Sequence, residues 1–82
     1  MITVLFFAKY REQLGTRKLE LDFAADCVGA LKKQLALSGG QIWQEILFNE
    51  NTLCAVNQTI VEDQQSLSDG DEVAFYPPVT GG

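Results

Sequence analysis

Apolar and polar residues first alternate with a period of two. In "MITVLFFA" the alternation places Ile2, Val4 and Phe6 on one face and Thr3, Leu5 and Phe7 on the other. β-branched and aromatic content marks the run as a strand. After a loop through Arg11, Glu12 and Gly15, "KLELDF" alternates Leu19, Leu21 and Phe23 against Glu20 and Asp22. The short connection predicts that the two strands pair antiparallel. The period then becomes helical: Val28, Leu31 and Leu35 recur on one stripe, with Lys32 and Lys33 on the outer side. Asp26 is placed to cap the first turn, and "SGG" at 38–40 stops the helix, with Gly39-Gly40 as its cap. A second short helix, "QIWQEILF", lays Ile42, Trp43, Ile46 and Leu47 against the rest.

Three more strands follow. "TLCAVN" is preceded by an "NEN" turn, "TIV" is short, and "EVAFY" comes after the tight "SDGD" turn in which Gly70 supplies permissive dihedrals. The order is thus β-β-α-(short helix)-β-β-β. Strands on both sides of one main helix predict an α+β domain, a mixed sheet of about five strands with that helix across one face. The first and last strands are the most apolar and belong at the centre of the sheet. The pattern resembles the β-grasp of ubiquitin-like proteins. It divides the chain into a globular part, residues 1–76, and an extended tail, residues 77–82.

Composition narrows the functions. The chain has 82 residues, enough for one small core. Eleven acidic and six basic side chains leave a net charge of −5, the wrong sign for a general nucleic-acid binder. There is no histidine, which removes the commonest general base and metal ligand. Cys27 and Cys54 match no CxxC or zinc spacing, and their apolar neighbours predict buried free thiols. No apolar stretch approaches the ~20 residues of a membrane span, and the first residues lack the basic segment of a signal peptide. The expectation is a cytoplasmic protein that binds neither membrane nor nucleic acid, and that is no enzyme on its own.

Attention therefore falls on "PPVTGG". Pro77 and Pro78 cannot extend the sheet and preset an extended path. From Pro77 to Gly82 the chain reaches roughly 20 Å at ~3.3–3.6 Å per residue. Gly81 and Gly82, without Cβ atoms, fit a channel too narrow for side chains. A terminal carboxylate on Gly82 is ionised at neutral pH and is a poor electrophile until activated, typically as an anhydride with AMP. No glycine-rich phosphate loop is present, so a separate ATP-using enzyme must perform that step. The acyl-adenylate can then pass to an ester or amide link, or to a thiocarboxylate.

The stretches "VLFFAKYRE", "AVNQT" and "LSDGDEVAFYPPVTGG" resemble the small subunit of molybdopterin synthase, the MoaD family. The likeness spans nearly the whole chain and is weakest from Ala24 to Asn51. It implies a β-grasp sulfur carrier whose terminal glycine, Gly82 here, is adenylated by an enzyme related to ubiquitin-activating enzymes. A sulfurtransferase system then converts it to a thiocarboxylate. It implies that no cofactor is stably bound and that ATP is consumed by the activating enzyme. It further implies that the tail enters the large synthase subunit, in a heterotetramer, and gives sulfur to cyclic pyranopterin monophosphate to build the dithiolene of molybdopterin.

Docking is expected beside the tail. Phe7 points away from the helix-facing set, and Tyr76, alternating with Val73 and Phe75, falls on the same side. Ile60 sits on a short exposed strand, and Arg11 is placed to pair with a partner carboxylate. Pro77, Pro78, Val79 and Thr80 would line the partner's entrance, followed by Gly81 and Gly82. Three alternatives stand beside this reading: a ThiS-like carrier for thiazole synthesis, a ubiquitin-like modifier of other proteins, and a plain interaction domain.

Overall fold

The computed structural model describes residues 1–22 and 25–78. Five strands form one sheet: β1 (Ile2–Phe6), β2 (Lys18–Leu21), β3 (Leu53–Val56), β4 (Thr59–Val61) and β5 (Glu72–Tyr76). Three helices accompany them: α1 (Lys9–Leu14), α2 (Val28–Gly39) and α3 (Gln41–Leu47). The strand order is β2-β1-β5-β3-β4. β1 and β5 run parallel as neighbours inside the sheet, and the other three pairings are antiparallel. The architecture is the mixed, helix-backed sheet that the sequence predicts, with β1 and β5 in the interior.

Alternation decides the layers. Ile2, Val4 and Phe6 of β1 and Val73 and Phe75 of β5 are almost fully buried. They face Val28, Leu31 and Leu35 of α2 and Ile46 and Leu47 of α3, which are buried with them in a single cluster. Phe6 stacks on Phe75 at 5.9 Å between ring centroids and meets Trp43 edge-on at 5.3 Å. Burial removes apolar area at about 25 cal/mol per Å², so this helix-facing half of the sheet carries most of the stability.

Several expectations are corrected. The predicted loop after β1 contains helix α1, which carries Tyr10 into the core. Its hydroxyl donates to Thr52 Oγ1 at 2.7 Å, and Thr52 passes the bond on to the Ile46 carbonyl at 2.6 Å. A buried tyrosine is tolerated because this chain satisfies its oxygen. Asp26 does not cap α2: the N-cap is Cys27, with no side-chain cap. The free amides of Val28 and Gly29 instead donate to the carbonyls of Gln65 and Asp63, at 3.0 and 2.9 Å. A backbone strap after β4 thus does the work assigned to a carboxylate.

Lys32 is not on the outer side. It is buried and donates to Asp63 Oδ1 at 2.7 Å, pinning the same strap, while Lys33 remains exposed. Ile42 is exposed rather than packed, and Trp43 is half-buried. Gly40 takes the positive φ of +94° that ends α2, whereas Gly39 is helical and serves to admit the Trp43 ring. Phe23, predicted at the end of the second strand, lies outside the described residues.

Candidate functional site

Residues paired across a sheet share a face, so the register identifies the side turned away from the helices. Leu5 is opposite Ala74, Ala74 is opposite Ala55, and Ala55 is opposite Ile60. Tyr76 is opposite Leu53. Together with Phe7, just past β1, these residues make an apolar stripe across four strands. Among the described residues no helix covers it: α2 and α3 pack on the other side.

The stripe is graded. Ala55 and Ala74, each with a single methyl group, are 3% and 8% exposed. Phe7 is 42% exposed and Ile60 is 56% exposed, so both project from the surface. Phe7 meets Tyr76 edge-on, with ring centroids 5.9 Å apart and planes at 73°. The Phe7 amide donates to the Phe75 carbonyl at 3.1 Å, which ties the end of β1 to the end of β5. The aromatic pair therefore stands where the chain leaves the sheet at Pro77.

Ala8 makes that position possible. Its φ of 54° and ψ of −135° turn the chain sharply after Phe7. The turn leaves the Phe7 ring on the open face while Tyr10, three residues on, enters the core on the other. A non-glycine residue held there costs of order 1–3 kcal/mol, strain of the kind found at functional sites. Arg11 follows on α1, exposed and with no ion pair among the described residues.

The structure thus brings Phe7, Tyr76 and Pro77 to one end of the sheet. Arg11 lies on the helix that starts there, and Ile60 lies across the face on the edge strand. Pro77 and Pro78 are half-buried. Val79, Thr80, Gly81 and Gly82 lie outside the described residues. Sequence reasoning missed Leu53, Ala55 and Ala74 as parts of the face. Alternation along β1 and β5 does put Leu5 beside Phe7 and Ala74 beside Tyr76, but Leu53 and Ala55 required the pairing register.

Among the described residues, neither cysteine lies on this face. Cys54 points to the core, and burial pushes its thiol up from 9.0 to about 11, against a smaller opposing pull from Lys32. It stays protonated at neutral pH and is a packing residue. Cys27 is half-buried at the start of α2, away from the aromatic pair.

A helix-backed mixed sheet with β1 and β5 side by side, an open apolar face and a chain leaving past an aromatic pair defines a ubiquitin-like β-grasp domain. Residues 4–82 match the ThiS family, and the chain belongs to that family. It is 48% identical over 82 residues to the molybdopterin synthase sulfur carrier subunit of Escherichia coli (strain K12), covering 100% of both chains. SAMP1 from Haloferax volcanii is similar in structure, with a TM-score of 0.81 at 23% identity over 99% of this chain and 98% of that one. A structure of the complex of subunits 1 and 2 of molybdopterin-converting factor from Helicobacter pylori also matches. Its TM-score is 0.68 at 23% identity, over 99% of this chain and 97% of that one. At 23% identity these two structures speak for the fold alone. None of the helices among the described residues is long and apolar enough to cross a membrane.

Proposed function

We propose that this chain is the sulfur carrier of molybdopterin synthesis, with Gly82 as the residue that carries the sulfur. The observation that supports this reading is end-to-end identity of 48% with a molybdopterin synthase sulfur carrier subunit. The ThiS family name alone would leave the thiazole carrier equally open. The fold-level likeness to SAMP1 supplies no separate support for a protein modifier.

The chemistry follows from the weakness of a carboxylate as an electrophile. The Gly82 carboxylate attacks the α-phosphorus of ATP, pyrophosphate leaves, and an acyl-adenylate forms on a ubiquitin-activating-like adenylyltransferase. Sulfur at the sulfide level, delivered by a sulfurtransferase system, attacks the carbonyl and AMP departs. The resulting thiocarboxylate is a soft nucleophile that attacks a carbon of cyclic pyranopterin monophosphate in the large subunit of molybdopterin synthase. The C–S bond forms as the bond from that carbon to the cyclic phosphate oxygen breaks, and the phosphate remains attached at its other ester. Hydrolysis of the thioester then returns the carboxylate and leaves sulfur on the pterin. This chain supplies the reagent; the large subunit supplies the phosphate-binding and proton-transfer groups.

The open face suits the docking this requires. Phe7, Tyr76 and Ile60 offer an apolar contact beside the tail, with Arg11 at its margin to meet a carboxylate of the large subunit in a heterotetramer. From Pro77 the tail, through Pro78, Val79, Thr80 and Gly81, carries Gly82 into the partner. Consumption of ATP places the cycle in the cytoplasm.

The test is intact-mass spectrometry of the full chain after incubation with the adenylyltransferase, ATP and a sulfide donor. One oxygen-to-sulfur increment, localised to Gly82, is the expected result. Deleting Gly81 and Gly82 should abolish it and leave the melting temperature unchanged. Conjugates to lysines of other proteins, or sulfur transfer retained by the truncated chain, would overturn the reading.

A further inference from the structure

We propose that the open face carries a charged frame that fixes the orientation of docking. It calls for a protein partner whose apolar patch is edged by an acidic group opposite Lys18 and by basic groups opposite Glu20 and Glu72. The proposal rests on the reading above that this face meets the large subunit.

The register supplies the frame. Lys18 is opposite Leu5, which places it on the open face at the end where the tail departs. The Phe6 amide donates to the Arg17 carbonyl at 3.0 Å, which sets Arg17 at the same end but on the helix-facing side, outside the frame. Glu20 is opposite Thr3, and Thr3 is opposite Glu72, so two carboxylates share the open face at its other end. The apolar stripe lies between the two charged ends.

The polarity extends beyond this face. Of the six basic side chains, four (Lys9, Arg11, Arg17 and Lys18) fall within ten residues that hold one acidic side chain, Glu12. The rest of the chain has two basic and ten acidic side chains. One of those two, Lys32, is buried and committed to Asp63. At the far end Asp69 and Asp71 precede Glu72, and the chain's amino terminus pairs with Asp69. The β2 and α1 corner of the end where the tail leaves is therefore positive, Glu62 follows the edge strand β4 at the other corner, and the far end is negative.

Orientation needs this polarity. Apolar burial is non-directional, so the stripe can hold a partner without choosing a rotation about the face normal. A tail that must enter one cleft requires that choice. Opposite charges at the two ends favour one rotation and penalise its reverse, and they raise the rate of productive encounter. The pair on the face itself, Lys18 to Glu20 at 3.4 Å, is about half-exposed on both sides. Such a pair is worth little, so both groups can turn to a partner.

The experiment is stopped-flow association of the full chain with the purified large subunit of molybdopterin synthase. Raising salt from about 0.01 M to about 0.3 M shortens the screening length several-fold and should slow association about tenfold. Lys18→Glu should slow it several-fold at low salt, as should Glu20→Lys with Glu72→Lys, although the two changes shift net charge in opposite directions. Lys33→Glu, on the helical side, should change the rate less than twofold. Circular dichroism of each variant checks the fold, and Lys18→Gln with Glu72→Gln gives a milder pair in which both slowings persist.

Absence of binding, a rate insensitive to salt, or variants that simply follow net charge would overturn the frame. So would unchanged association of Lys18→Glu with the subunit at low salt. Binding with the expected charge dependence but no sulfur transfer would refute the carrier reading and leave the frame standing.

Discussion

Gly39→Ala sets two known effects against each other, and the structure decides between them. In an ordinary helix the change gains about 0.5–1 kcal/mol, because alanine loses less conformational freedom on folding. Here a Cβ on Gly39 would lie 2.3 Å from Trp43 Cγ, 2.4 Å from Cδ1 and 2.6 Å from Cδ2. Carbon atoms rest at about 3.5–4.0 Å, so the indole must retreat by more than about 1 Å. That ring is held edge-on against Phe6, which is itself 1% exposed. Overpacking costs about 1–3 kcal/mol, and disturbing an aromatic pair about 0.5–1.5 kcal/mol. The net expectation is a loss of about 1–3 kcal/mol. For a chain of this size, at about 4–8 °C per kcal/mol, that lowers the melting temperature by roughly 4–24 °C. A thermal melt followed by far-ultraviolet circular dichroism measures it, and the single tryptophan reports ring movement by fluorescence. In a Trp43→Ala background the clashing Cγ, Cδ1 and Cδ2 atoms are absent, so Gly39→Ala should then be neutral or stabilising. A melting temperature for Gly39→Ala equal to or above wild type would refute the reasoning.

Four further outcomes are expected. Asn57 and Gln58 both have positive φ, 50° and 72°, in the two-residue turn between β3 and β4. Gln58→Gly should therefore raise stability by about 0.5–1 kcal/mol in a urea titration. Cys54 has its folded thiol pushed up to about 11 from 9.0, so the unfolded chain releases that proton first. Stability is thus constant below pH 9 and falls by about 2 kcal/mol toward pH 11, a loss that Cys54→Ala should not show in alkaline urea melts. Tyr10→Phe removes a buried donor to Thr52 and should cost about 1 kcal/mol with no change in docking, checked by melts and by titration with the large subunit. Phe7→Asp alters a 42%-exposed ring, so its melting temperature should stay within a few degrees of wild type while affinity for that subunit falls at least tenfold.

The sequence announces those parts of the fold whose signal is local. Period-two alternation on β1 and β5 names both the residues that face the helices and the residues that do not. The spacing of Val28, Leu31 and Leu35 gives the buried stripe of α2. What it conceals depends on contacts between distant segments. Tyr10 is buried because Thr52, 42 positions away, accepts its hydrogen bond. Lys32 is buried because Asp63 lies 31 positions further on, and by composition alone a lysine belongs in water. The cap of α2 comes from backbone carbonyls, which have no side-chain signature. The same division runs through the open face: Leu5, Phe7 and Ala74 are legible from alternation, whereas Leu53 and Ala55 emerge only from strand register.

Alternation also separates stability from recognition within the same five-residue strands. On β1, Ile2, Val4 and Phe6 build the core, while Leu5, with Phe7 just beyond, faces outward; on β5, Val73 and Phe75 do the first job, and Ala74 and Tyr76 the second. Because successive side chains point to opposite faces, the outward set can change without opening a cavity. The separation has one weak point, at Ala8. Its positive φ lets Phe7 remain on the open face while Tyr10 turns inward, so the two jobs meet in one strained residue. Glycine there would relieve about 1 kcal/mol of strain but would also free the hinge that holds the Phe7 ring against Tyr76. Ala8→Gly should therefore raise the melting temperature while weakening association with the large subunit. A variant that gained in both, or lost in both, would show that the strain does not serve to aim the ring.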